Sequence, residues 1–229
     1  MSGVGRKAWV MALAVLPAAL LAACNDGSDV ARLEKEVAQL QDRVRNTESY
    51  IAVANLQRTY GYYTDKALWD QAADLFSRDA TLEISGRGVF VGNDHIRQYF
   101  KALPGLKTGT VFLHYQMQPV IHIAADGQSA KGRWRQTAQI GALGEKSRLG
   151  EGIYENEYVV EDGVWKISKL HYYTNYLVDY DKAWSEPGYP ILGPFENLPP
   201  DRPPSGDYKA YPEVSIPPFH YANPVTGRQ

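Results

Sequence analysis

The sequence predicts an α+β domain, a curved antiparallel sheet wrapped around a helical layer, preceded by a coiled-coil-like helix extension and followed by a proline-rich arm. Three observations predict it. Apolar residues recur at helical spacing as far as Phe100. From Thr110 to Leu177 the period changes to two, with turn residues between the runs. From Ser185 onward, 11 of 45 residues are proline.

Residues 1–23 read as a secretory signal. Arg6 and Lys7 form a basic start, and Ala8 to Ala23 form an uncharged stretch interrupted only by Pro17. Leu21-Ala22-Ala23-Cys24 resembles the bacterial lipobox, in which the cysteine thiol is acylated and becomes the mature N-terminus. Cys24 is then the lipid attachment site. The alternative is an ordinary signal peptide followed by a chance cysteine. Two or more acyl chains anchor stably at about 0.8 kcal/mol per buried CH₂. The expectation is a lipoprotein of the bacterial cell envelope facing the periplasm or the exterior, with the choice of membrane left open by Asn25. The apolar run of 16 residues is short for a spanning helix.

Composition excludes several functions. Beyond residue 23, 22 Lys and Arg face 26 Asp and Glu, so no basic footprint for nucleic acid exists. With Cys24 lipidated, no thiol remains for a disulfide, a zinc site or a nucleophile. His95, His122 and His220 show no metal-ligand spacing. A redox-cofactor motif, a phosphate loop and a nucleophile elbow are also lacking, so neither metal nor cofactor is expected. The excess lies in 16 tyrosines and 5 tryptophans, residues that line apolar pockets while offering O–H and N–H groups.

Residues 24–50 comprise a polar tether and an amphipathic helix. Val30, Leu33, Val37, Leu40, Val44 and Ile51 repeat in 3-4 spacing, with Thr47 at one core position. Three heptads suit either a self-associating stalk, dimer or trimer, or a helix packed on its own domain. The domain proper spans 51–184. Its first helix runs through Leu56, Tyr60 and Tyr63. Asp65 is placed to cap a second, with Leu68, Ala72, Leu75 and Phe76 on its apolar face, or else to serve as a base. Thr81–Ile84 and Val89–Val91 alternate around Gly86-Arg87-Gly88 as strand–turn–strand. Asn93 or Asp94 starts a third helix, which stops before Pro104-Gly105. Thr110–Ile123, Ser129–Ile140, Arg148–Val160 and Val164–Leu177 read as strands, with Asp126-Gly127 and Asp162-Gly163 as turns needing positive φ. Such a sheet predicts a deep apolar cavity against the helices. Residues 185–229, rich in tyrosine and phenylalanine as well as proline, read as an extended arm lying on the domain or on a neighbouring subunit; the alternative is a flexible tail.

Tyr60-Gly61-Tyr62-Tyr63-Thr64-Asp65, then Trp69, Leu75-Phe76 and Asp79, resemble the opening of the SnoaL-like branch of the nuclear-transport-factor-2-like superfamily. Glu155 to Ile167 is similar to that branch's last two strands. The resemblance covers roughly Ile51 to Tyr176 and implies a cone with its site inside. Members include isomerases, dehydratases, cyclases, lyases and silent binding modules. Against scytalone dehydratase, His114 falls on the pocket histidine. That enzyme's helix aspartate falls near Tyr62, its second histidine near Ile140, and its pocket asparagine at Tyr154. Proteins of this branch that remove formaldehyde from lignin-derived aryl-propanediols are a second comparison.

His114 shares a strand face with Gln116 and Gln118, and an imidazole on a cavity wall exchanges protons near neutrality. Arg133 and Arg135 share one face of the next strand, with Trp134 on the other. A cavity arginine would hold an oxyanion, or else pair with Glu151, Glu155 or Glu157. Tyr60, Tyr63 and Tyr154 would form an aromatic slot, or plain core. His171, Tyr173 and Asn175 share a face of the last strand. The expected catalytic residues are therefore His114, Tyr60, Tyr63 and Arg133, and the expected substrate contacts Tyr62, Trp134, Glu151, Tyr154, His171 and Asn175. The expected function is a cofactor-independent lyase, a dehydratase or an aldehyde-eliminating enzyme, on a small aromatic or polycyclic molecule. A non-catalytic envelope module that binds an apolar ligand or a partner protein is the alternative, and a double-bond isomerase the third.

Overall fold

The structure, a computed structural model, describes residues 27–229; the signal segment and Cys24 lie outside the described residues. These residues divide into two units, one ending at Arg45 and one spanning Asn46–Gln229. Helix α1 runs Gly27–Asp65. Its part in the first unit exposes Val30, Leu33, Val37, Leu40 and Val44, each about half accessible, while Arg32 pairs with Glu36 one turn on. None of the described helices is long and apolar enough to cross a membrane.

In the second unit, α1 turns Val53, Ala54, Gln57, Tyr60, Gly61 and Thr64 inward, the spacing of one helical face. Two short helices follow, α2 (Trp69–Asp74) and α3 (Asn93–Lys101). The sheet comprises β1 (Phe76–Ile84), β2 (Val89–Val91), β3 (Thr110–Ile123), β4 (Ser129–Ala142), β5 (Arg148–Glu161) and β6 (Val164–Asp179). Its order is β2-β1-β6-β5-β4-β3. Four neighbouring pairs are antiparallel, and β1 joins β6 in parallel. The four long strands fall where alternation predicts them. Asp162 and Gly163 both have positive φ in a two-residue turn; at the other hairpin only Gly127 does. Register slips between Met117 and Val120 in β3, and twice in β5, supply bulges that increase twist and curvature.

Two expected caps do different work. Asp65 ends α1, and α2 starts without a side-chain cap. The Asn93 amide donates to the carbonyls of Ala73 and Phe76, tying α3 to α2 and β1.

The expected apolar cavity is instead filled. Phe76, Phe100, Leu82, Ile96, Ile167 and Leu170 are almost fully buried. Each contributes about 1.5–3 kcal/mol of hydrophobic stabilisation. Tyr60 stands edge-on to Phe76 and to Tyr154, and Tyr154 contacts Tyr172. A polar cross-brace runs through this core. Gln57, wholly buried, accepts from the Asn156 amide (2.9 Å) and the Tyr158 hydroxyl (2.8 Å) and donates to Gln116 (2.9 Å). Trp134 donates to the same Tyr158 oxygen.

The arm lies over the other face of the sheet, on its own domain. The buried Glu83 carboxylate accepts the Ser205 N–H, the Ser205 hydroxyl and the Tyr208 hydroxyl. Farther along, His220 bonds Glu155, and Phe219 lies under the Arg133 guanidinium at 3.9 Å. Tyr211 N–H donates to Asn175 O, and Val89 N–H to Arg202 O.

Candidate active site

At the end of α1, Asp65 meets β3. The His114 backbone N–H donates to Asp65 Oδ1 at 2.5 Å, and His114 Nδ1 lies 3.9 Å from the same oxygen. The two side chains are 19 % (His114) and 13 % (Asp65) exposed, so the pair sits at the surface of the core with limited water access. Burial pushes the imidazole down to about 4, leaving it neutral at pH 7. It also raises the Asp65 carboxyl, while the His114 N–H bond and Lys66 act in the opposite direction.

The position of His114 has clear causes. Gln116 donates back to the His114 carbonyl and is itself held by Gln57, so the polar brace of the core reaches the strand that carries the imidazole. Gly61 admits this close approach: a Cβ there would lie 2.7 Å from Gln116 Cγ and 3.3 Å from the His114 carbonyl oxygen. Aromatic rings extend the wall from the histidine outward. Phe112 lies 4.3 Å from the His114 ring, Trp69 stands at 88° to Phe112, and Trp69 stacks on Phe100. Two buried side-chain atoms among the described residues have no hydrogen-bond partner, His114 Nδ1 and Trp69 Nε1, and both belong to rings in contact with Phe112. Since Nδ1 is buried, the exposure of the His114 side chain belongs to its other atoms.

The expected residues separate by strand face. His114 faces the helices, and Tyr60, Tyr154 and Trp134 lie in the sealed core beneath it. Burial and mutual proximity hold the Tyr60 hydroxyl well above its ordinary value, and Tyr154 is pushed up by burial as well. Tyr63 packs on the core's edge. Arg133 does not reach this site. It pairs with Glu155 on the outer face, stacks on Phe219 and donates to the Pro218 carbonyl. Arg135 pairs there with Glu151, which also accepts from Asn175. His171 is on that face too, bonded to Tyr208 and contacted by Tyr173. Because alternate residues of a strand project to opposite faces, Arg133, Glu151, His171 and Asn175 cannot join His114 in one pocket. Tyr62 points away from the core, 74 % exposed. Two hollows also lie elsewhere: one of 440 Å³ beside Ser77, Asp79 and Glu157, and one of 140 Å³ beneath the arm by His171, Tyr173 and Phe219.

The sequence places Gln116 beside His114 and offers Asp65 first as a cap and second as a base, but it does not point to Trp69 or Phe112 as neighbours of the imidazole. The helical period held the signal for Asp65. It follows Gly61 by four and Gln57 by eight, which places it on the inward face.

A family model described as a SnoaL-like domain matches residues 45–171. Among solved structures, the chain is similar to a candidate scytalone dehydratase from Novosphingobium aromaticivorans DSM 12444, with 18% identity, a TM-score of 0.54, and coverage of 68% of this chain and 98% of that one. It is similar to a hexachlorocyclohexane dehydrochlorinase, LinA type 2, with 24% identity, a TM-score of 0.53, and 60% and 92% coverage. The LinA type 3 dehydrochlorinase from Novosphingobium barchaimii LL02 gives 23%, 0.53, 60% and 93%. Compared by sequence with curated proteins, the chain matches none. At these identities the structural likeness carries the fold alone.

Proposed function

The chain belongs to the SnoaL-like domain family, and from that premise we propose that it is a cofactor-independent lyase acting on a small aromatic molecule through His114 and Asp65. The observation that carries the proposal is the buried, neutral imidazole whose Nδ1 lacks a partner and faces a carboxylate 3.9 Å away. A buried polar atom left unpaired is uncommon, and such atoms concentrate where a ligand or a reacting group belongs.

The imidazole takes the proton, and the ionised carboxylate of Asp65 steadies the imidazolium. At 3.9 Å the carboxylate is close enough to favour the imidazolium as it forms. In a dehydration, His114 removes a C–H proton, the electron pair forms C=C, and the neighbouring hydroxyl leaves as water with the proton from the imidazolium. In an aldehyde elimination, as on an aryl-propanediol, His114 removes the proton of the primary alcohol. The C–C bond then breaks to release formaldehyde, its electron pair forms C=C, and the adjacent hydroxyl departs as water with the proton returned by the imidazolium. The rings of Phe112, Trp69 and Phe100 offer an aromatic surface beside the base.

The test is turnover on a panel of lignin-derived aryl-propanediols and hydroxylated polycyclic ketones, read by absorbance of the conjugated product and by formaldehyde release. His114→Ala and Asp65→Asn are each expected to cut turnover at least ~100-fold with the fold retained by circular dichroism. Unchanged turnover in both variants would overturn the assignment. The filled interior favours a second reading, a non-catalytic envelope module that binds an apolar ligand at this aromatic surface. It predicts binding unaffected by either variant and no conversion. In both readings Leu21-Ala22-Ala23-Cys24 supports a lipid anchor in the cell envelope, and the exposed Val30–Val44 stripe supports self-association as dimer or trimer.

A further inference from the structure

Trp69 has no role in the proton chemistry just described, yet its position is unusual. The indole opens α2, four residues after Asp65, and is fixed on both sides, stacked at 8° on Phe100 and perpendicular to Phe112. Its Nε1–H is buried without an acceptor. An indole has one donor and no acceptor, so it is satisfied only by a group that brings a lone pair. The other orphaned atom, Nδ1, belongs to the His114 ring, which contacts the same Phe112 ring at 4.3 Å between centroids. Elsewhere in the core the tryptophan N–H is partnered, as Trp134 is by Tyr158 at 2.9 Å.

Building on the reading of the Asp65–His114 site, we propose that Trp69 is its ligand-orienting donor. The ligand accordingly carries an oxygen acceptor, a carbonyl, ether or hydroxyl, on or next to its aromatic ring. A bound oxygen satisfies the indole N–H and fixes the ring's orientation against Phe112 and Phe100. The reacting carbon is thereby turned toward the imidazole. A hydrocarbon of the same shape leaves the donor unpaired and is discriminated against, as sites built around a buried polar group do.

The test uses acetophenone, an aromatic with an acceptor and no donor, and ethylbenzene, its apolar counterpart. Binding to the full-length protein is followed by titration calorimetry. In parallel, the Trp69 indole N–H is assigned through bonds in the ¹H–¹⁵N spectrum of the wild type. The expected result is a downfield shift of that one proton with acetophenone and none with ethylbenzene. Trp69→Phe, which keeps the stacked ring, is expected to weaken acetophenone about 3- to 10-fold and to leave ethylbenzene unchanged. The proposal is overturned if acetophenone does not bind, if Trp69→Phe binds both probes as the wild type does, or if the indole proton sits upfield over Phe112 and ignores acetophenone. Should Trp69→Phe fail to fold, the wild-type proton shift alone decides. Failure of the lyase reading is separable: turnover is then absent, or unchanged in His114→Ala, while the Trp69 shift with acetophenone persists.

Discussion

Replacing Gln57 by Leu removes a buried side chain that ties α1 to two strands of the sheet, β3 and β5. Three hydrogen bonds are lost, to Gln116, Asn156 and Tyr158, each worth about 1 kcal/mol net. The Asn156 amide and the Tyr158 hydroxyl proton are then stranded in a site that excludes water, at about 1 kcal/mol or more each. Leucine recovers part of this through its own burial, so the net loss is about 3–5 kcal/mol. For a domain of this size, each kcal/mol lowers the melting temperature by about 2–4 °C. Urea denaturation followed by tryptophan fluorescence is expected to show that loss, and a thermal melt a fall of about 6–20 °C. Since Gln116 also supports the His114 carbonyl, turnover should drop further than stability predicts at temperatures where the variant is folded. A loss below ~1 kcal/mol would refute the view that this brace carries the helix–sheet junction.

Other expectations follow from the same structure. Burial holds the folded-state value of His114 at about 4, below the ordinary 6.5, so the unfolded chain takes up the proton first. Its contribution is complete above pH 6.5 and fades as pH falls toward 4, by at most about 3 kcal/mol. His171 acts in the same direction and Asp65 in the opposite one. Urea midpoints at pH 7 and 4.5 should differ less in His114→Gln than in the wild type. Removing residues 205–229 strips the buried Glu83 carboxylate of Ser205 and Tyr208, at a cost of about 3–5 kcal/mol; adding Glu83→Gln to that truncation should restore part of it in the same denaturation assay. Gly152→Ala would drive a methyl into the Tyr172 hydroxyl and the Tyr173 carbonyl, and should leave little folded protein by circular dichroism.

Much of the architecture was legible from residue order alone. The two-residue period from Thr110 onward and the Asp-Gly pairs locate four strands, because a half-buried pleat and a positive-φ turn each impose a pattern on sequence. Alternation also sorts Arg133 and Arg135 from Trp134 correctly, but it does not say which face the helices cover and which the arm covers. The arm lacks a period, so the contacts of Ser205, Tyr208 and His220 with Glu83, His171 and Glu155 had no local signature. The filled interior is equally non-local. Tyr60, Phe76, Phe100 and Tyr154 come from four separate elements, and only their convergence closes the expected cavity. His114 was identifiable from its strand face and the family resemblance. Asp65 was legible only as a second reading, since an acidic residue between two helices more commonly caps the second.

The pairing of a neutral, shielded imidazole with the Asp65 carboxylate is the centre of the account, and ¹⁵N NMR titration of the His114 ring measures it directly. The prediction is a ring that remains neutral down to a midpoint of about 4 and whose nitrogen shifts change when Asp65 is replaced by Asn. A midpoint near 6.5, indifferent to Asp65→Asn, would mean that His114 is an ordinary solvated histidine, and the proposed chemistry would lose its base.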